Sequence, residues 1–176
     1  SHPDHLCPQE LHYRGEGFVP EHLDPLTIYG NRAVRARFDE MEHSLEYCRA
    51  RFVTVKPFEP LDLGDGVTAT PLEADHAGDE EQAVIYLFER NGRALLQGND
   101  SGIFPEATWD FLSTKELDVA IIECTYGPQE GGRYHLGVNE VLEVRERLLK
   151  IGALNAQSRT IATHFSHNGG WLHEQL

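Results

Sequence analysis

Four points along this sequence carry histidine and carboxylate side chains at spacings that could ligate a metal. The first is the start of the chain. Ser1-His2-Pro3-Asp4-His5 is the back end of an H-x-H-x-D-H pattern whose leading His would precede Ser1. His2, Asp4 and His5 place two imidazoles and a carboxylate on four residues, and only a tight loop at a strand end can aim all three inward. Imidazole nitrogen with carboxylate oxygen suits Zn(II), Mn(II) or Fe(II). A solvated His-rich tail is the other reading of this segment. The remaining points are single candidates. His76 follows the β-rich run 67–73, Asp100 lies in Gly98-Asn99-Asp100-Ser101-Gly102 after 93–97, and His164 follows Thr160-Ile161-Ala162. Each sits just past a stretch that reads as a strand. Ligands at the ends of different strands can meet at one sheet edge although they are distant in sequence.

The elements that must position these residues alternate. Residues 26–30 read as a short strand. Residues 31–48 read as a helix with Val34, Phe38, Met41, Leu45 and Cys48 on one face. Strands over 51–55 and 67–73 are separated by a turn at 63–66. Strands over 82–89 and 93–97 are split by Asn91-Gly92, a strong hairpin dipeptide. Pro105 opens a short helix to Leu112. Residues 118–124 form a nearly continuous apolar strand, as in a buried sheet. A loop covers 127–132, and 138–150 read as a helix burying Val138, Val141, Leu142, Leu148 and Leu149. Gly169-Gly170 breaks the chain before a short C-terminal segment. The sequence shows no repeat, linker or low-complexity tract, so residues 1–176 read as a single domain.

Composition narrows the function classes. Hydrophobic residues make up 40% of the chain and charged residues 25%, as in an ordinary globular domain. No apolar run approaches the roughly 20 residues of a membrane-spanning helix, and no membrane partner is expected. Cys7, Cys48 and Cys124 are an odd set without C-x-x-C spacing, which points to a reduced, cytoplasmic setting. Acids outnumber bases 29 to 15, for a formal charge of −14. Such a surface repels polyphosphate backbones, whose binding relies on Lys and Arg, so a long nucleic acid is disfavoured as substrate. A small phosphate ester remains compatible, and so does a homodimer.

The order of these motifs, ending in Thr163-His164-Phe165-Ser166, resembles the metallo-β-lactamase superfamily of hydrolases. Within it, the chain resembles the phosphodiesterase branch that holds tRNA 3′-processing endonucleases (RNase Z) and PhnP-like cyclic phosphodiesterases. The resemblance implies an α/β (α+β layered) fold, the αββα sandwich, of which the chain would be roughly the C-terminal two-thirds. The leading His and the preceding strands would lie before Ser1, and the only Met is Met41, which reads as a fragment.

The resemblance also implies roles. His2 and His76 would bind one metal, Asp4, His5 and His164 a second, and Asp100 would bridge them. The expected cofactors are two divalent ions, Zn or Mn, with Fe also compatible. Two close dications lower the pKa of a shared water, so hydroxide exists at neutral pH. Asp4 and His135 would carry the catalysis. His135, in Arg133-Tyr134-His135-Leu136-Gly137, matches a metal-free catalytic His of the family, as general acid or phosphate contact; a loop His capping the next helix is the alternative. Glu123 would orient His135 or support a ligand. His167 matches the spacing of a His at a separate structural zinc in PhnP-like enzymes, against an ordinary surface His. Tyr126 and Arg133 line either a substrate pocket or a flexible loop. His12, His22, His43 and His173 lack such context and read as surface or structural.

The expected function is therefore a metal-dependent phosphodiesterase acting on a small, cyclic or activated phosphodiester. An RNase Z-like endonuclease, a thioesterase or lactonase on the same fold, and a non-hydrolytic redox or sensor domain are the competing classes.

Overall fold

The computed structural model describes residues 6–15, 17–20, 22, 24–78 and 80–175. They fall into two compact units, one from Ser1–Lys56 with Asp79–Gln82, the other from Pro57–Gly78 with Ala83–Leu176.

In the first unit, strands β1 (Leu26–Gly30) and β2 (Ala50–Thr54) pair in parallel around helix α1 (Arg32–Asp39). Asn31 caps α1: its Oδ1 accepts from Val34 N at 2.9 Å, while its Nδ2 donates to Glu81 O and Gln82 O, both at 2.7 Å. The helix is shorter than the expected 31–48. Met41 N turns back to Phe38 O, and Ser44 Oγ accepts from Tyr47 N at 3.1 Å. A hydroxyl that caps a new turn competes with continuing the old one, so the apolar spacing beyond Asp39 belongs to a separate set of turns.

The second unit is built on a six-stranded sheet in sequence order: β3 (Leu61–Gly64), β4 (Val67–Glu73), β5 (Val84–Arg90), β6 (Arg93–Gly98), β7 (Val119–Glu123) and β8 (Arg159–Thr163). The mixed α/β class matches the sequence expectation. Strands β3 to β6 pair antiparallel, while β6, β7 and β8 pair in parallel across the connections that carry α2 (Glu106–Leu112) and α3 (Val138–Lys150). Strand β3 occupies part of the expected turn. The turn itself is only Asp65-Gly66, with both φ values positive (52° and 73°), as in Asn91-Gly92 (51° and 73°). That conformation suits tight hairpins because its twist matches the strands.

The core lies where alternate side chains of the sheet, Leu72, Ile85, Leu87, Leu96, Ala120 and Ile122, meet Trp109 and Leu112 of α2 and Val141, Val144 and Leu148 of α3. Leu142, expected inside, is exposed. It stands one residue, about 100° of helix rotation, away from the 141–144–148 stripe. Val138 and Leu149 pack at the edge of the core. No helix among the described residues is long and apolar enough to cross a membrane.

Asp118 locks the start of β7 to β6. Its Oδ2 accepts from Ala94 N at 2.8 Å, and Arg93 donates to Oδ1. The Ala94 amide first, and the Arg93 guanidinium second, hold this carboxyl below the usual Asp range. A group depressed in the folded state stabilises the fold fully above its unfolded value, about pH 4, and loses that contribution as pH falls through the folded value. Urea midpoints taken downward from pH 5 should therefore fall more steeply for the wild type than for Asp118→Asn. Parallel curves would mean that the carboxylate contributes nothing.

Candidate metal and acid–base centre

Strand direction determines where the functional side chains gather. Gly98 is paired with Ile122 and Glu123 with Thr163, so β6, β7 and β8 end together. Strand β4 runs parallel to β6 because each is antiparallel to β5, and Glu73 at its end faces Val84 at the start of β5. Four strands thus finish at one edge of the sheet. The segments leaving them carry His76, Asp100, Glu123 with Thr125, and His164. The loops are tied together by Asp75 N to Ser101 Oγ (3.1 Å), Gly102 N to Asp75 O (2.9 Å) and Cys124 N to Thr163 O (2.8 Å).

Glu123 is completely buried. Its Oε2 accepts from Thr125 N at 2.9 Å and Leu136 N at 3.2 Å, and its Oε1 lies 2.7 Å from His135 Nδ1. A carboxylate can only accept, so His135 carries its proton on Nδ1 and keeps Nε2 for other work. The loop between Cys124 and Gly137 is fixed around this acid. Tyr126 N bonds Leu136 O, Gly132 N bonds His135 O, and Val138 N bonds Gly127 O, at 3.0, 2.9 and 2.8 Å. Gly102 is required for close approach, since a Cβ there would strike Gly132 O.

The other candidates surround His135. His164 Nε2 lies 3.2 Å from Asp100 Oδ1, and the His76 and His135 ring centroids are 4.9 Å apart. His76 Nδ1 contacts Tyr134 O at 3.1 Å. Potential ligand atoms of His76, Asp100 and His135 lie within 4.8 Å of one another, as do those of Glu123, His135 and His164. Asp100, Tyr134 and His164 all take left-handed backbone conformations, with φ of 54°, 78° and 58°. For non-glycine residues this costs on the order of 1–3 kcal/mol each and is concentrated at functional sites. Imidazole nitrogens and carboxylate oxygens gathered at this spacing fit a borderline dication such as zinc.

The sequence candidates are thus distributed as follows. His76, Asp100, Glu123, His135 and His164 come together. His2, Asp4 and His5 lie outside the described residues. His167 begins a short 3₁₀ turn and joins no ligand group among the described residues. Tyr126 stands edge-on to His135 at 5.9 Å, and Arg133 sits over the Tyr134 ring at 4.8 Å with its Nε 3.8 Å from Asp75. Thr125 was not foreseen. Its hydroxyl lies 2.9 Å from His164 Nδ1 and 3.2 Å from His135 Nδ1. A Thr after a strand is common, and only the spacing Glu123-x-Thr125 could have marked it.

A sheet whose strand ends gather histidines and carboxylates is a scaffold able to hold a metal. The chain belongs to the β-lactamase superfamily: residues 1–165 match the family described as "Beta-lactamase superfamily domain". The structure is similar to the metallo-β-lactamase fold protein YhfI from Bacillus subtilis (TM-score 0.61, 19% identity, 86% of this chain and 56% of that one). It is also similar to yeast PDE1 (0.64, 15%, 85% and 51%) and to the short form of human tRNase Z (0.52, 17%, 81% and 61%). At these identities the likeness is one of fold, and this chain spans little more than half the length of each. No curated protein matches it.

The buried carboxylate generates a stability test. In Glu123→Gln, all three bonds lose their charged acceptor, and an amide NH2 turned toward the ring forces His135 into its Nε2–H tautomer. Urea unfolding should show a loss of about 1–3 kcal/mol. Wild-type stability would refute the three-donor arrangement.

Proposed function

We propose that the protein is a metal-dependent hydrolase acting on a small phosphodiester, cyclic or activated. The observation that carries this reading is the Glu123–His135 pair, whose ring shares one group of close ligand atoms with His76 and Asp100 and another with His164, itself 3.2 Å from Asp100. A phosphodiester needs both functions at once: charge neutralisation on the phosphoryl oxygens and a proton for the departing alkoxide.

His76, Asp100 and His164, together with His2, Asp4 and His5, would hold two divalent ions, zinc or manganese, with iron also fitting the donor set. Asp100 would contribute to holding both. When bound, such ions lower the pKa of a shared water and offset charge building on the phosphoryl oxygen. The chain's own residues do the rest. Glu123 holds Nδ1–H of His135 and so fixes the ring, leaving Nε2 for proton transfer. His135, doubly protonated, donates its Nε2 proton to the leaving oxygen as the P–O bond breaks. Arg133, more than half exposed and only loosely paired with Asp75, can contact a non-bridging oxygen of the bound ester. Asp4 would complete the catalytic set as a ligand.

An RNase Z-like endonuclease would use the same pair. The charge of −14 favours the smaller substrate, because counterion release from a polyphosphate needs clustered cations.

The test compares leaving groups. His135→Ala should retain the wild-type metal content and lose roughly 10²–10⁴-fold in turnover of an alkyl phosphodiester. The loss should be much smaller for bis-(p-nitrophenyl) phosphate, whose leaving group needs no proton. Equal losses on both would remove the general-acid role. Activity that survives exhaustive chelation would overturn metal dependence.

A further inference from the structure

Thr125 occupies a position that the roles above do not use. It is buried, with 6% of its surface exposed, and its hydroxyl has three neighbours: His164 Nδ1 at 2.9 Å, His135 Nδ1 at 3.2 Å and His164 O at 3.3 Å. A hydroxyl has one proton to give and two lone pairs to receive with. The proton of His135 Nδ1 is committed to Glu123 Oε1 at 2.7 Å. That nitrogen therefore cannot accept from Thr125, and the hydroxyl proton goes to His164, either to its ring or to its carbonyl.

These two settings correspond to the two tautomers of His164. If Thr125 donates to Nδ1, the ring proton is on Nε2, directed at Asp100 Oδ1 3.2 Å away. If Thr125 donates to the carbonyl oxygen, it accepts from Nδ1–H, and the Nε2 lone pair faces Asp100 and the ligand cluster. Only the second tautomer can coordinate a cation through Nε2. An imidazole ligand is held in that form by the acceptor on its other nitrogen.

We infer that Thr125 is the positioning residue for His164, accepting the Nδ1 proton and handing its own to the His164 carbonyl so that Nε2 is available to a divalent cation. This rests on the reading of His164 as a metal ligand. The same residue holds Glu123 through its peptide N–H at 2.9 Å. Thr125 therefore sets the ligand with its side chain and the acid–base pair with its backbone, and the two tasks are separable by mutation. Thr125→Val removes the hydroxyl, keeps the shape and leaves the peptide N–H on Glu123.

The experiment measures zinc affinity by competition with a chromophoric chelator for the wild type, Thr125→Val, Thr125→Ser and His164→Ala. Thr125→Val should weaken the affected site by about 10- to 100-fold, the range for lost outer hydrogen bonds to a ligand, with Thr125→Ser close to the wild type. Unchanged affinity in Thr125→Val together with weakened binding in His164→Ala overturns the inference while leaving the ligand assignment standing. Unchanged affinity in His164→Ala sinks the ligand assignment itself. A variant-free measurement decides the matter even where Thr125→Val fails to fold. In long-range ¹H–¹⁵N spectra of the zinc-loaded wild type, His164 should show a protonated Nδ1 and a metal-bound Nε2. The opposite tautomer overturns the role given to Thr125.

Discussion

A carboxylate with no solvent contact organises this end of the sheet. Burying Glu123 alone would cost several kcal/mol. The fold meets that cost with Thr125 N, Leu136 N and His135 Nδ1–H, each hydrogen bond to a charged acceptor being worth roughly 1.5–3 kcal/mol. All three donors come from the segment that follows β7. The loop must therefore curl back over the strand end, and its remaining features follow. Leu136 is driven into the core. Gly127 and Gly137 meet as an isolated parallel bridge. Gly137 has no room for a side chain, because a Cβ would strike Gln129 O. Glu140 then closes the turn from the first turn of α3, accepting from Gly131 N and Gly137 N at 3.1 and 2.9 Å.

Backbone strain also gathers at this end of the sheet. Hairpin turns place Asp65 and Asn91 in left-handed conformations beside glycines, a local requirement of chain reversal. Asp100, Tyr134 and His164 adopt such conformations without a hairpin to demand them. Asp100 lies two residues past the end of β6, and His164 directly follows β8. An extended continuation would carry Asp100 and His164 on along the strand direction, and the positive φ turns the chain sharply at those points. The stability given up there is supplied by the packed sheet beneath, where Leu87, Leu96 and Ile122 are essentially inaccessible to solvent.

How much of this was legible in the sequence depended on whether a signal is local. Asn91-Gly92 marked its hairpin, and the apolar run before Cys124 marked a buried strand. His76, Asp100 and His164 could be placed at strand ends from β-rich runs alone. Asp65-Gly66 carries the same chemistry as Asn91-Gly92. Yet β3 went unread, because 61–64 contributes only two apolar residues, Leu61 and Leu63, of which Leu63 is exposed. The helix expected across 31–48 failed for a similar reason: apolar spacing persisted after Asp39, but Ser44 starts a new turn. Thr125 was invisible because its importance lies in a hydroxyl between two rings brought in from ten and thirty-nine residues away. The burial of Glu123 was likewise hidden, since its donors are mostly peptide groups that no residue type announces.

Electrostatics then connects the site to the whole chain. With 29 acids and 15 bases, the protein's field repels an anionic ester at long range, although at physiological salt that repulsion fades beyond about 8 Å. Within that distance the gathered side chains are imidazoles and carboxylates, with Arg133 on the covering loop already shared with Asp75 and the Tyr134 ring. Carboxylates cannot attract a phosphodiester by themselves. On the proposed reading, most of the attraction would come from the dications those side chains hold, with Arg133 and the protonated His135 adding to it, so substrate binding and metal occupancy are coupled. On that reading the acidic surface would act as a filter: a small ester that crosses the screening distance would meet the charge of the bound ions, whereas a long polyanion would remain in contact with the repelling surface on either side of it.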